Sequence, residues 1–178
     1  MPVRITSLLI FFVFSAPLYA DEPLLGPAIE GYGPTYPVND RDVALEAGAV
    51  YRAVFDVATY SDDMTALNRR LVSVARFLNM HVRNGDRVEN MDLAVVVHGA
   101  AWKSILNNDT YQARFEIDNP NLELVMKLNA AGVKFYICGQ TMAFVGIQKK
   151  DLASPVKVAL SAMTMLTVLQ SEGYALLP

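Results

Sequence analysis

The sequence holds one cysteine, Cys138, and two histidines, His81 and His98. A lone cysteine cannot close a disulfide within its own chain, and it cannot build a Cys-based zinc site. Basic residues are also sparse. Lys and Arg total 15 against 18 Asp and Glu, a net charge of −3, and they form no block. That balance argues against nucleic acid and anionic membrane surfaces as partners. Beyond the amino terminus there is no long apolar run, so no later stretch reads as a membrane-crossing helix. A dinucleotide fingerprint is missing too: Gly31-Tyr32-Gly33 follows no strand, runs into Pro34 and lacks the third glycine.

Hydrophobic residues make up 53 % of the 178 and charged ones 19 %, the balance of a globular chain able to bury one core. Residues 1–20 read as a secretory signal peptide. Arg4 supplies the positive start, residues 5–14 form an apolar stretch well short of the roughly 20 a span needs, and Leu18-Tyr19-Ala20 offers a cleavage site before Asp21. With no cysteine near that site, a lipoprotein is excluded. The mature chain is therefore expected to be periplasmic or secreted, with no stable membrane insertion after cleavage. Residues 21–50 carry Pro23, Gly26, Pro27, Gly31, Gly33, Pro34 and Pro37. They read as an extended arm on the surface of a single domain, residues 51–178, and as a segment usable in assembly.

Within that domain, residues 51–58 read as the first strand. A loop with Ser61, Asp62 and Asp63 then caps a helix over 64–84, whose Met64, Leu67, Leu71, Val74, Ala75, Leu78 and Val82 share one face. Leu93-Ala94-Val95-Val96-Val97 is apolar throughout, as in a strand covered on both faces of a parallel sheet, and it ends at His98-Gly99. Residues 100–106 predict a short helix carrying Trp102, and 107–118 a polar, mobile loop. Asn119-Pro120 opens another helix, with Asn as cap and Pro at its first position. Residues 133–137 form a third strand that stops at Cys138. Gly139 permits a tight turn, and Thr141 reads as the N-cap of the helix beyond. A strand over 155–160, a helix over 162–172 capped by Ser161 and a short strand at 174–177 complete the pattern. Right-handed crossovers turn it into a three-layer α/β/α fold with a mainly parallel five-stranded sheet.

Ligands of such sheets bind at the carboxyl ends of the strands. There the first strand leads to Tyr60, Ser61 and Asp62, the second to His98 and Trp102, and the third to Cys138, Gly139, Gln140 and Thr141. A thiol between a strand end and a helix start is biased toward the nucleophilic thiolate. Cysteine is equally a residue that packs in cores. His98, if beside the thiol, would stabilise a thiolate or an anionic substrate. The sequence displays no acid to orient that histidine and no second thiol, so hydrolase and reductase chemistry lack parts. His81 reads as structural. Tyr60, Trp102 and Phe144 either line a pocket or pack, and Asp62 and Asp63 read as helix caps rather than metal ligands.

Several stretches together resemble the DsrE/DsrF-like family, whose cytoplasmic members act in sulfur relay. They are Tyr51-Arg52-Ala53-Val54-Phe55-Asp56-Val57, Val95-Val96-Val97-His98-Gly99, Asn119-Pro120-Asn121, Leu169-Gln170-Ser171-Glu172-Gly173-Tyr174 and, above all, Ala131-Gly132-Val133-Lys134-Phe135-Tyr136-Ile137-Cys138-Gly139-Gln140-Thr141. The resemblance covers residues 50–178. It implies a DsrE-like fold, assembly into homotrimers, hexamers or mixed rings, and no metal or organic cofactor. It also implies that Cys138 accepts sulfur as a persulfide and passes it to a partner thiol, with a sulfur donor or an acceptor thiol protein as partner. The leader sets this chain apart, so the cytoplasmic pathways of the family do not carry over with the fold. The competing expectation is a non-catalytic oligomeric module that binds a small ligand or a protein at the same rim, with Cys138 merely packed.

Overall fold

The computed structural model describes residues 22–46 and 48–177; the leader read at residues 1–20 lies outside them. Five strands build one sheet, the first four rich in β-branched or aromatic residues: β1 (Tyr51–Val57), β2 (Met91–Val97), β3 (Lys134–Cys138), β4 (Val156–Ala159) and β5 (Ala175–Leu177). They lie in the order β4-β3-β2-β1-β5, and every pairing is parallel. The all-apolar run of β2 occupies the centre and is buried on both faces, which is why it shows no alternation.

The connections between the strands carry five α-helices: α1 (Arg69–Arg83), α2 (Asn108–Phe115), α3 (Leu122–Ala130), α4 (Gly139–Val145) and α5 (Ala162–Ser171). Odd-numbered residues of β1 to β3, such as Phe55, Val95, Val97 and Ile137, point into the larger core. They pack there with Leu71, Val74 and Leu78 of α1 and Leu124, Val125 and Leu128 of α3. Even-numbered residues, Val54, Ala94, Val96 and Cys138, face the other way and pack with Ala162 and Leu169 of α5 and with Tyr174. Helices on both faces make this the expected three-layer α/β fold.

Several boundaries differ from the sequence expectation, each for a local hydrogen-bonding reason. α1 starts at Arg69 because Asn68 caps it, accepting from the Arg70 amide at 2.9 Å, while the Asn68 amide is drawn 2.6 Å from Asn121 Oδ1. Asp63 instead closes a separate turn with Thr65. The stretch expected to be a mobile loop contains α2, capped by Asn107 through the Thr110 amide at 2.8 Å. Residues 99–105 wind as a 3-10 helix. α3 starts only at Leu122: Asn119 is buried, its Oδ1 accepts from the Asn121 amide at 2.9 Å in the turn that leads into the helix, and its amide donates to the carbonyls of Ser104 and Leu106.

Residues 22–46 form no helix or strand and lie against α1. Ile29 is buried in the larger core, and the fully buried Asn79 of α1 accepts from the Ile29 amide at 2.7 Å. The same Asn79 donates to the carbonyls of Tyr32 and Gly33. Arg76 and Arg83 add bonds to the carbonyls of Pro34 and Gly26. Among the described residues, no helix is long and apolar enough to cross a membrane.

Candidate functional site

Side chains alternate faces along a strand, so the α5 side of the sheet can be read as three rows crossing β1, β2 and β3. The row at the amino end is ionic. Lys134 Nζ lies 2.7 Å from Asp92 and 2.8 Å from the Tyr174 hydroxyl, and Arg52 flanks the same carboxylate. The middle row, Val54, Ala94 and Val96, is buried and apolar. The row at the carboxyl end is staggered: Asp56 lies opposite Val96, and His98 and Cys138 lie two residues further along. His98 and Cys138 each follow the paired residues Val97 and Ile137 by one position, on neighbouring strands.

His98 continues β2 in an extended conformation (φ −155°, ψ −170°) and donates its amide to the Val57 carbonyl at 3.0 Å. Its Nε2 lies 2.7 Å from Asp56 Oδ1. This carboxylate is the orienting acid that the sequence reading did not find. Gly99 then turns the chain away at φ +50°, so close to β1 that a Cβ would stand 2.8 Å from the Ala58 carbonyl oxygen.

Cys138 is itself the N-cap of α4, a correction to the assignment of that role to Thr141. Its Sγ accepts from the Thr141 amide at 3.5 Å, in the position a serine oxygen commonly takes, and the helix starts at Gly139. The Gln140 amide and the amide of Ala162, the first residue of α5, also favour the charged form of the sulfur. The starts of α4 and α5 therefore both favour a charged sulfur here. Burial pushes the thiol up, but the Thr141 amide and hydroxyl, with the Ala162 and Gln140 amides, outweigh it and hold Cys138 below the ordinary thiol value. The residue is only 5 % exposed. Gly139 is pressed onto the end of β4, where a Cβ would stand 2.7 Å from the Ala159 carbonyl oxygen.

The DsrE/DsrF-like family model matches residues 52–178, a segment that takes in the whole Asp56–His98–Cys138 row. The chain belongs to the DsrE/DsrF-like family. The solved structure of a protein of unknown function, MTH1491 from Methanobacterium thermoautotrophicum, matches 71 % of this chain and 97 % of its own. The TM-score is 0.54 at 20 % identity, a likeness that shows the fold alone. No curated protein matches this chain.

In this DsrE/DsrF-like chain, the other residues expected at the site divide between two cavities. Trp102, Gln140 and Thr141 line one of about 480 Å³ between the 3-10 helix after His98 and α4, closed in part by Phe144. Gly139 is not in its lining. Tyr60 lies elsewhere, in a cavity of about 740 Å³ beside Arg69, Ser73 and Arg76 of α1. Its hydroxyl is taken up by the Ala66 carbonyl, Tyr111 and Asn121, so it does not join the cysteine. Phe144 is no packing residue, at 91 % exposed, and Leu160 and Met163 near the start of α5 are 72 % and 78 % exposed. His81 is structural: it is stacked on Phe77, tilted against Tyr51, and bonded through Nδ1 to the Phe77 carbonyl. Asp56 could have been found in the sequence by parity, since Asp56, His98 and Cys138 are all even-numbered and lie at or beside the carboxyl ends of β1, β2 and β3. Among the described residues, no group of three or more His, Cys, Asp or Glu is placed to hold a metal ion.

Proposed function

We propose that this protein is an exported sulfur carrier, which takes sulfane sulfur onto Cys138 as a persulfide and passes it to a thiol of a partner protein. The observation that carries this reading is the place of Cys138 as both the end of β3 and the cap of α4, its Sγ accepting from the Thr141 amide at 3.5 Å, which favours the thiolate. In loading, the Cys138 thiolate attacks the outer sulfur of a donor persulfide. A bond forms between Sγ and that sulfur, the donor's S–S bond breaks, and its electron pair leaves on the donor thiolate. Delivery is the same exchange run toward an acceptor thiol. The backbone amides then hold the charge returned to Sγ. Membership of the DsrE/DsrF-like family supports a sulfur-relay role, and the leader read at residues 1–20 supports export.

Homo-oligomeric assembly, as a trimer or hexamer, belongs to the same proposal. Phe144, Leu160 and Met163 are apolar and largely exposed on the elements that carry the cysteine site, where a second copy would cover them. A second reading rests on the 5 % exposure of Cys138: an oligomeric module that binds a small ligand or protein at the rim, with the cysteine packed.

Intact mass of the folded protein after exposure to polysulfide separates the two. A gain of about one sulfur (~32 Da, the increment of thiol–persulfide exchange), reversed by reductant and absent in Cys138→Ser, is the result expected of the carrier. An unmodified Cys138 in folded protein sinks the carrier and leaves the binding module.

A further inference from the structure

We infer that His98 is the general base of the delivery step and that Asp56 is its positioning residue. This assignment rests on the carrier reading above. A carboxylate only accepts, so Nε2 supplies the proton of the 2.7 Å bond to Asp56, and a neutral ring then keeps its lone pair on Nδ1. Among the described residues, nothing hydrogen-bonds to that Nδ1. The His98 side chain is 29 % exposed, whereas Cys138 is recessed. The ring is therefore open to an incoming thiol, and Cys138 lies deeper on the neighbouring strand.

The other groups that could take a proton here are few. Tyr136 and Cys138 share this face on β3, and Lys157 lies on β4 paired with Tyr136. α5, which covers the face, has no titratable side chain between Ala162 and Ser171. The loop after β1 carries Asp62 and Asp63, the latter engaged with Thr65. Lys103, on the 3-10 helix after His98, lies over the Tyr60 and Phe115 rings. Only His98 combines a ring nitrogen without a hydrogen-bond partner with a carboxylate holding the ring.

The step balances without an oxidant. His98 Nδ1 takes the proton of the acceptor thiol, and the resulting thiolate attacks the outer sulfur of the Cys138 persulfide. The acceptor–sulfur bond forms, the bond to Sγ breaks, and its electron pair stays on Sγ, where the Thr141 amide donates. The imidazolium so formed faces the Asp56 carboxylate, and the products are an acceptor persulfide and a Cys138 thiolate.

The test loads wild type, Asp56→Asn and His98→Gln with polysulfide and confirms the added sulfur by mass. Single-turnover delivery is then followed from pH 5.5 to 9 to two small thiols: an alkyl thiol still protonated at neutral pH and an aryl thiol already ionised there. Delivery to the alkyl thiol should fall about 100-fold in His98→Gln and about 10-fold in Asp56→Asn, the scale of general-base catalysis. Delivery to the aryl thiol should be unchanged, and the alkyl rates should converge at high pH. Free imidazole added to His98→Ala should restore delivery to the alkyl thiol alone, which a merely structural role would not give. Equal alkyl rates in all loaded proteins, or equal losses with both thiols, overturn the assignment and leave the carrier standing. Failure of wild type to load overturns the carrier itself.

Discussion

Cys138 Sγ lies 3.5 Å from the Thr141 amide nitrogen, so the last residue of β3 is also the cap of the helix that follows. A cap whose acceptor is a thiol gains strength on ionisation, because the amides then point at a full negative charge. The structure thus couples the fold of the strand–helix junction to the protonation of one sulfur.

The first prediction is a pH profile. Alkylation of Cys138 by iodoacetamide should titrate below the midpoint of the denatured chain, and Thr141→Val should move it back toward the ordinary thiol value, since it removes a hydroxyl that favours the thiolate. Stability follows with a fixed sign. A depressed folded value means that the thiolate's contribution is complete above the unfolded pKa and is lost as pH falls through the folded one. The stability gap between wild type and Cys138→Ala should therefore widen as pH rises through that window. A gap that narrows as pH rises contradicts the cap.

Gly139→Ala tests the packing that seats the cysteine. The added Cβ meets a main-chain oxygen at 2.7 Å, and main chain cannot swing aside as a flexible side chain can. Overpacking of this kind should cost about 1–3 kcal/mol in a denaturant titration and should raise the alkylation midpoint of Cys138. An unchanged midpoint would show that the sulfur does not depend on this contact.

Asn79→Ala tests the arm. It removes the acceptor of the Ile29 amide and the donor to Tyr32 and Gly33 from a fully buried site. Stranding buried backbone groups should cost about 2–3 kcal/mol. Limited proteolysis should then cut within residues 26–36 well before the domain, whereas simultaneous loss of arm and domain would mean that the two fold as one unit.

Assembly is tested on the opposite side. Placing Asp at both Leu160 and Met163, each largely exposed, should leave the far-ultraviolet circular dichroism intact while reducing the light-scattering mass to that of one chain. Wild type already running as a single chain would remove the assembly proposal.

The parallel sheet was legible because its centre is covered on both faces: the unbroken apolar run at residues 93–97 admits little else. Cys138 was legible as a strand end next to a glycine. α2 was not, because Tyr111 is its only buried residue and one anchor leaves no apolar period to detect. The start of α1 was misplaced for the opposite reason. Met64 and Leu67 fit the period, but Asn68 ends the preceding turn by reaching to Thr59 and Asn121, a contact 53 residues away in the chain for the latter. Asp56 was passed over as an ordinary polar residue within a strand. Its meaning lies in His98, 42 residues on, and only the register brings them together.

His98 and Cys138, the two residues of the proposed site, are each followed by a glycine lodged against a carbonyl oxygen of an adjoining segment, Ala58 for Gly99 and Ala159 for Gly139. Each of the two strand ends is thus seated by main chain touching main chain. A seat made of backbone is indifferent to the side chains around it, so the surrounding core is free to diverge almost completely while each strand end keeps its place. Descendants of this sequence should lose their recognisable residues long before they lose those two glycines.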